Sequence, residues 1–176
     1  MSEEKKTILL DEAIEEVEIA ITRLALMHLS YAKILVEELS KEKGKELIIK
    51  AITEYGARIG ENTAKGERDL PKYGVHKEVF QNEKGEYIVK GCTLAKVFKK
   101  YDELELGALY CFVDPAKSMA FDPSQKVIHK TCEACGDDKC TLAVVSTSEK
   151  DREIFEKRDE DLNLLDPYLV KRLKNK

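Results

Sequence analysis

The chain has 176 residues, of which 43% are hydrophobic and 36% are charged, with a formal net charge of -4. This composition predicts a folded core and excludes a largely disordered chain. No basic stripe with interleaved aromatic residues occurs, so we expect no nucleic-acid partner. The N-terminus lacks the layout of a signal peptide and no apolar run approaches membrane-spanning length, so we expect a cytoplasmic protein without a membrane partner.

Residues 1–66 predict a long N-terminal helical hairpin. Apolar side chains recur at helical spacing from about Leu9 to Leu39, and again from about Glu42 to Ala64. The apolar arc of the first helix is wide enough to need more than one neighbour, either within the chain or in a second subunit. We expect a homodimer that forms through these N-terminal helices.

Residues 67–148 predict a small antiparallel sheet with helices. The predicted elements are strands at 75–80 and 87–90, helices at 93–101 and from 103 to about 111, and strands at 126–132 and 141–146. The second of these helices is expected to end near Asp114-Pro115. A charged helix at 149–165 and a basic tail complete the chain within residues 149–176. Together these elements predict an α+β fold in one integrated domain.

A group of possible metal ligands lies between His129 and Cys140. Cys132 and Cys135 form a CxxC pair, and Cys140 follows four residues later. Thiolates and imidazole suit zinc or another thiophilic metal better than an iron–sulfur cluster at this spacing. We therefore predict a metal site at Cys132, Cys135, Cys140 and His129, with Cys111, Cys92 or water as other candidates for the fourth ligand.

A metal site that includes His129 needs an irregular strand. In a regular strand His129 and Cys132 would face opposite sides, so a bulge is needed to bring them together. Two alternatives to a metal site are also open for this group. A redox disulfide between Cys132 and Cys135 is less favoured, because Glu133 is expected to raise the thiol pKa. Cys140 can also serve simply to fill the core.

Cys111 and Asp114 are three residues apart and would share one face of a helix. The functional interpretation is a nucleophile beside an acid/base group. Spacing alone favours a buried cysteine followed by an aspartate that ends the helix. The chain has no GxGxxG, phosphate-loop, HExxH or GxSxG motif, so we expect no nucleotide cofactor.

Several segments together resemble a known enzyme family. They are Cys92-Thr-Leu-Ala-Lys-Val-Phe, Leu109-Tyr-Cys111-x-x-Asp114-Pro-Ala, Phe121-Asp-Pro123 and Gly136-Asp137-Asp138-x-Cys140. In order and spacing they resemble the L-2-amino-thiazoline-4-carboxylic acid hydrolase family over roughly residues 12–146. The C-terminal part is also similar to the vinyl-reductase-like small-molecule-binding domain.

The resemblance implies a small-molecule hydrolase that opens a sulfur–nitrogen ring. Cys92, Cys111, Asp114 and Cys140 match family positions, whereas Cys132 and Cys135 are additions to the pattern. A nucleophile would add to the amidine-like C2 of the ring, either as the Cys111 thiolate or as water on a thiolate-bound metal, with Asp114 as acid/base. The alternative function is a non-enzymatic module or sensor that binds a metal or a metabolite.

Overall fold

The computed structural model describes residues 7–158 and 161–174. The chain begins with helices α1 (Leu10–Glu38) and α2 (Lys41–Ala64), which pack against each other. Ser40 ends the short connection, and its hydroxyl accepts a hydrogen bond from the backbone N–H of Lys43, capping α2. The predicted helical hairpin is confirmed.

Helix α1 is buried on one side only. Ala25, Leu29 and Ala32 lie in the core, whereas Met27 and Tyr31 on the outer side are exposed. Contrary to the expectation of no apolar run of membrane-spanning length, α1 is long and apolar enough to cross a membrane by length and composition. Since its inner side packs on α2 and on the middle of the chain, α1 is also a structural part of the fold.

The middle of the chain forms a four-stranded antiparallel sheet with short helices. Its elements are β1 (Glu78–Gln81), β2 (Tyr87–Lys90), α3 (Thr93–Lys100), α4 (Leu104–Gly107), a 3-10 turn (Ala108–Phe112), α5 (Val113–Phe121), β3 (Gln125–Thr131), a 3-10 turn (Glu133–Cys135) and β4 (Cys140–Ser146). The strand order is β1-β2-β4-β3. Helices followed by this sheet confirm the predicted α+β fold.

Helix α5 corrects one prediction. The chain does not leave the helical conformation near Asp114-Pro115 but continues as α5 to Phe121. Proline is tolerated there because Pro115 lies in the first turn, where a helix does not need the missing N–H. As a result Asp114 and Lys117 lie one turn apart on α5.

Helices α2 and α5 approach each other closely at two glycines. A Cβ atom at Gly56 would lie 2.7 Å from the carbonyl oxygen of Val113, and one at Gly60 would meet the carbonyl oxygen of Lys117 still more closely. Only glycine allows backbone contact of this kind.

The C-terminal region differs from the predicted single helix at 149–165. Helix α6 (Glu149–Lys157) ends at Arg158, whose φ of 53° is left-handed. A 3-10 turn (Leu162–Leu165) and helix α7 (Pro167–Lys174) follow, so the basic tail is helical as far as the structure describes it. Residues 159–160 lie outside the described part of the chain.

A hydrophobic core joins the helical hairpin, the short helices of the middle region and the described C-terminal region. The core includes Leu29 of α1, Phe98 of α3, Phe112 before α5, and Leu165 and Leu169 of the C-terminal region. The C-terminal segment therefore packs in the same core as the helical hairpin and the short helices.

Candidate active site

A cavity of about 520 Å³ lies between the helical hairpin, α5 and the sheet. Most of its wall is apolar or aromatic: Ile21, Leu24, Tyr55, Ile59, Leu70, Pro71, Val75, Val79, Tyr87, Val89, Leu94, Tyr110, Val113 and Leu142. The polar lining residues are Asp69, His76, Cys111, Asp114, Lys117, His129 and Cys140. Both residues predicted as catalytic thus line one cavity.

His129 lies between two carboxylates at the deep end of this cavity. Its Nε2 is 3.2 Å from Oδ2 of Asp114, and its Nδ1 is 2.7 Å from Oδ2 of Asp166. The backbone N–H of His129 also donates to Asp166, at 2.9 Å. With both ring nitrogens facing carboxylates, neither is available to a metal in this arrangement.

Lys117 extends the charged group toward the segment before β1. Its Nζ lies 2.8 Å from Oδ2 of Asp69 and 3.5 Å from Oδ1 of Asp114. The other oxygen of Asp69, Oδ1, is buried, and no donor among the described residues reaches it. A buried acceptor without a partner is costly, so this oxygen suits a donor group on a ligand.

The charged residues of this group shift one another's pKa values. Burial opposes the charge on His129, but Asp114 and Asp166 outweigh it and raise the pKa of His129 well above its usual value. Burial alone would raise the pKa of Asp114, but His129 and Lys117 hold it well below its usual range. The pKa of Lys117 is raised by Asp114 and Asp69 against the effect of burial. Asp114 therefore remains a carboxylate beside two cations.

The thiols form a second group next to the charges. The sulfur of Cys111 is 3.7 Å from that of Cys132, whose thiol also interacts with Cys135 and Cys140. The hydrogen bond from Cys111 lowers the pKa of Cys132; the contact with Cys135 opposes this, and the bond from Cys140 adds to it. The pKa values of Cys111 and Cys140 are raised, chiefly by the same contacts with Cys132 and by burial. Of Cys111, Cys132 and Cys140, Cys132 is thus the thiol that ionises most readily.

A local irregularity of β3 lies between His129 and the thiols. The register of β3 against β4 shifts between His129 and Thr131. This is the kind of irregularity that His129 and Cys132 need in order to face the same side.

The carboxylate of Glu133 accepts hydrogen bonds from the backbone N–H groups of Gly91 and Cys92. Contrary to the expectation from Glu133, the pKa of Cys132 is lowered.

Of the candidate fourth ligands, the structure brings Cys111 next to Cys132, which itself interacts with Cys135 and Cys140. The thiol of Cys92 instead interacts with backbone N–H groups at the start of α3, and burial raises its pKa to about 12. Across residues 7–158 and 161–174, no three His, Cys, Asp or Glu side chains are arranged to hold a metal ion. This arrangement does not support the predicted metal site, which stays a prediction.

Sequence reasoning did not identify Lys117, Asp69 and Asp166. A helical continuation through Pro115 would have placed Lys117 beside Asp114. Asp166 precedes Pro167, and an aspartate before a proline is typical of a helix start; its Oδ1 accepts from the N–H of Leu169, at 3.0 Å. No pattern in the sequence marks Asp69.

A mostly apolar cavity with a few converging polar groups, in an α+β domain, is typical of proteins that bind small molecules. The family model of L-2-amino-thiazoline-4-carboxylic acid hydrolase matches residues 19–144. The chain belongs to this family, which confirms the resemblance and gives it a hydrolase-like function. No curated protein and no solved structure matches the chain significantly.

Proposed function

We propose that this protein hydrolyses a small zwitterionic heterocycle of the 2-aminothiazoline-4-carboxylate type in the cavity around Cys111. The main support is that Cys111, Asp114, Lys117 and His129 line one cavity in a chain of this hydrolase family. The family gives the reaction class, and the side chains suggest how the ring is held.

The charges of the cavity complement such a substrate. An aminothiazoline acid carries an amidine-like nitrogen group and a carboxylate. Lys117 suits the carboxylate, and the oxygens of Asp114 and Asp69 suit the nitrogen donors. Because the protein charges are already paired, a zwitterion enters without adding net charge to a partly buried site.

Cys111 is the proposed nucleophile. Its sulfur adds to C2 of the ring as its proton passes to the sulfur of Cys132, 3.7 Å away. The ring C–S or C–N bond then breaks, and the leaving atom takes up a proton. Water next displaces Cys111 from C2, which restores the thiol and completes one hydrolysis.

The environment of Asp114 argues for binding over the predicted acid/base role. A carboxylate whose pKa is held low by His129 and Lys117 is a weak proton acceptor. His129 carries a proton on Nε2 next to Asp114 and is the better proton donor for the leaving atom.

Turnover of 2-aminothiazoline-4-carboxylate, followed by nuclear magnetic resonance, tests this proposal. Cys111→Ala is expected to abolish ring opening, whereas Cys92→Ala, which changes a thiol outside the cavity lining, keeps it. Lys117→Met is expected to raise KM roughly tenfold or more, because a charged hydrogen bond contributes about 1.5–3 kcal/mol. Wild-type turnover in a folded Cys111→Ala variant would refute the role of Cys111.

A non-enzymatic small-molecule-binding module is the second candidate. It is favoured by the raised pKa of Cys111, which leaves the thiol that lines the cavity protonated at rest. Stoichiometric binding of the heterocycle without any ring opening, in protein purified under reducing conditions, would favour this function over hydrolysis.

A further inference from the structure

The cavity is larger than the ring that its charged residues would hold. A 2-aminothiazoline-4-carboxylate has roughly the bulk of four or five water molecules, at ~30 Å³ for each. The cavity measures about 520 Å³. A ligand this small would leave on the order of 400 Å³ unfilled, whereas ligand sites usually enclose most of their ligand.

The chain of ion pairs ends at the deep end of the cavity. It runs from Asp69, whose side chain is 31% exposed, through Lys117 and Asp114 to His129, which is 1% exposed. The ring of the substrate therefore fits at this deep end.

The sheet side of the cavity is apolar and opens to solvent. Val79 of β1 is 57% exposed and Tyr87 of β2 is 41% exposed, and both line the cavity. Removing exposed apolar side chains from water lowers the free energy, so these side chains suit an apolar group of a ligand that passes between them.

We infer that the natural ligand is amphiphilic: a charged heterocycle at the deep end with an apolar substituent, alkyl or aryl, that extends past Val79 to the mouth. For the identity of the ring this inference rests on the proposed function. The apolar substituent rests on the volume and lining of the cavity alone.

Calorimetric binding of two ligand series tests the inference. One series carries n-alkyl groups of increasing length at ring C5 and the other carries them on the exocyclic nitrogen, with the unsubstituted acid as reference. In at least one series the affinity is expected to rise about fourfold for each methylene, up to the length that reaches the mouth. Affinity that does not rise in either series would overturn the inference.

A pair of matched variants locates the substituent. Val79→Glu places a charge at the mouth and is expected to lower the preference for the long-chain ligand over the unsubstituted acid at least tenfold. Val144→Glu makes the same change at an exposed strand position outside the cavity and is expected to keep that preference. An unchanged preference in Val79→Glu would overturn the placement at the mouth.

Ring opening measured on the same compounds separates the two proposals. Tight binding of the alkyl compounds without ring opening would refute the hydrolase and support the amphiphilic ligand. Turnover of the unsubstituted acid with affinities that do not depend on the alkyl group would support the hydrolase and refute the amphiphilic ligand.

Discussion

Nδ1 of His129 lies 2.7 Å from Oδ2 of Asp166, a carboxylate that is fully buried. The other oxygen of Asp166 accepts the N–H of Leu169, so the same side chain begins α7 and orients the imidazole. Asp166 lies beyond residues 19–144, which the family model matches. A residue outside the matched region thus supports the charged end of the cavity.

Asp166→Asn is expected to destabilise the fold by about 3–5 kcal/mol near pH 6, because it removes one partner of a buried ion pair. Because the pKa of His129 is raised in the folded state, the stabilisation by this ion pair is complete below a pH of about 6.5. It is lost as the pH rises through the folded-state pKa of His129. Urea unfolding from pH 6 to 10 measures the effect, which should shrink at the alkaline end. The exposed Asp138→Asn is the control, and an equal loss at every pH would contradict the assignment.

The thiols are expected to titrate in a fixed order. Cys132 ionises below the usual thiol pKa because Cys111 donates a hydrogen bond to it. Thiolate absorbance against pH should lose its earliest step in Cys132→Ala and show that step at higher pH in Cys111→Ala. An early step that survives in Cys132→Ala would assign the low pKa to another cysteine.

A thiophilic metal on the cysteines remains a prediction. The 3.7 Å between the sulfurs of Cys111 and Cys132 is close to the ~3.8 Å edge of a tetrahedral zinc–thiolate site with ~2.3 Å bonds. Because no three ligands among the described residues are arranged for a metal ion, zinc binding requires the cysteines to rearrange. Anaerobically purified protein should then contain about one zinc per chain, lost in the double variant Cys132→Ser and Cys135→Ser but kept in Cys92→Ser. Elemental analysis measures it, and wild-type protein with only trace metal would contradict the prediction.

The homodimer also remains a prediction. Met27, Tyr31 and Ile34 form an exposed apolar strip on α1. If two copies pair along it, the double variant Met27→Glu and Tyr31→Glu should shift the mass from dimer to monomer in light scattering. Glu61→Lys on α2 is the control, and a wild-type protein that is monomeric at all concentrations would contradict the pairing.

The sequence allowed prediction of the fold where periodicity was long and uninterrupted. Both long helices and the β2 and β4 strands match their predicted positions closely. The prediction failed around Pro115 and Arg158, because a proline in a first helical turn and a left-handed arginine depend on context that a local pattern does not carry.

The candidate site was only partly predictable for a different reason. Cys111 and Asp114 were found because they are close in sequence. Asp69 and Asp166 reach the site from distant segments, and the pairing of His129 with Asp166 depends on how the C-terminal region packs. Contacts between distant segments of this kind have no local sequence pattern.

The contact of α2 with α5 at Gly56 and Gly60 holds the charged part of the cavity independently of its apolar mouth. It fixes the helix that carries Asp114 and Lys117 against α2, while Val79 lies on a strand outside that contact. Substitutions at Val79 can therefore change which molecules are accepted while Asp114 and Lys117 keep their geometry. A protein engineer could retarget this scaffold from β1, whereas a single methyl group at Gly60 would disturb every substrate alike.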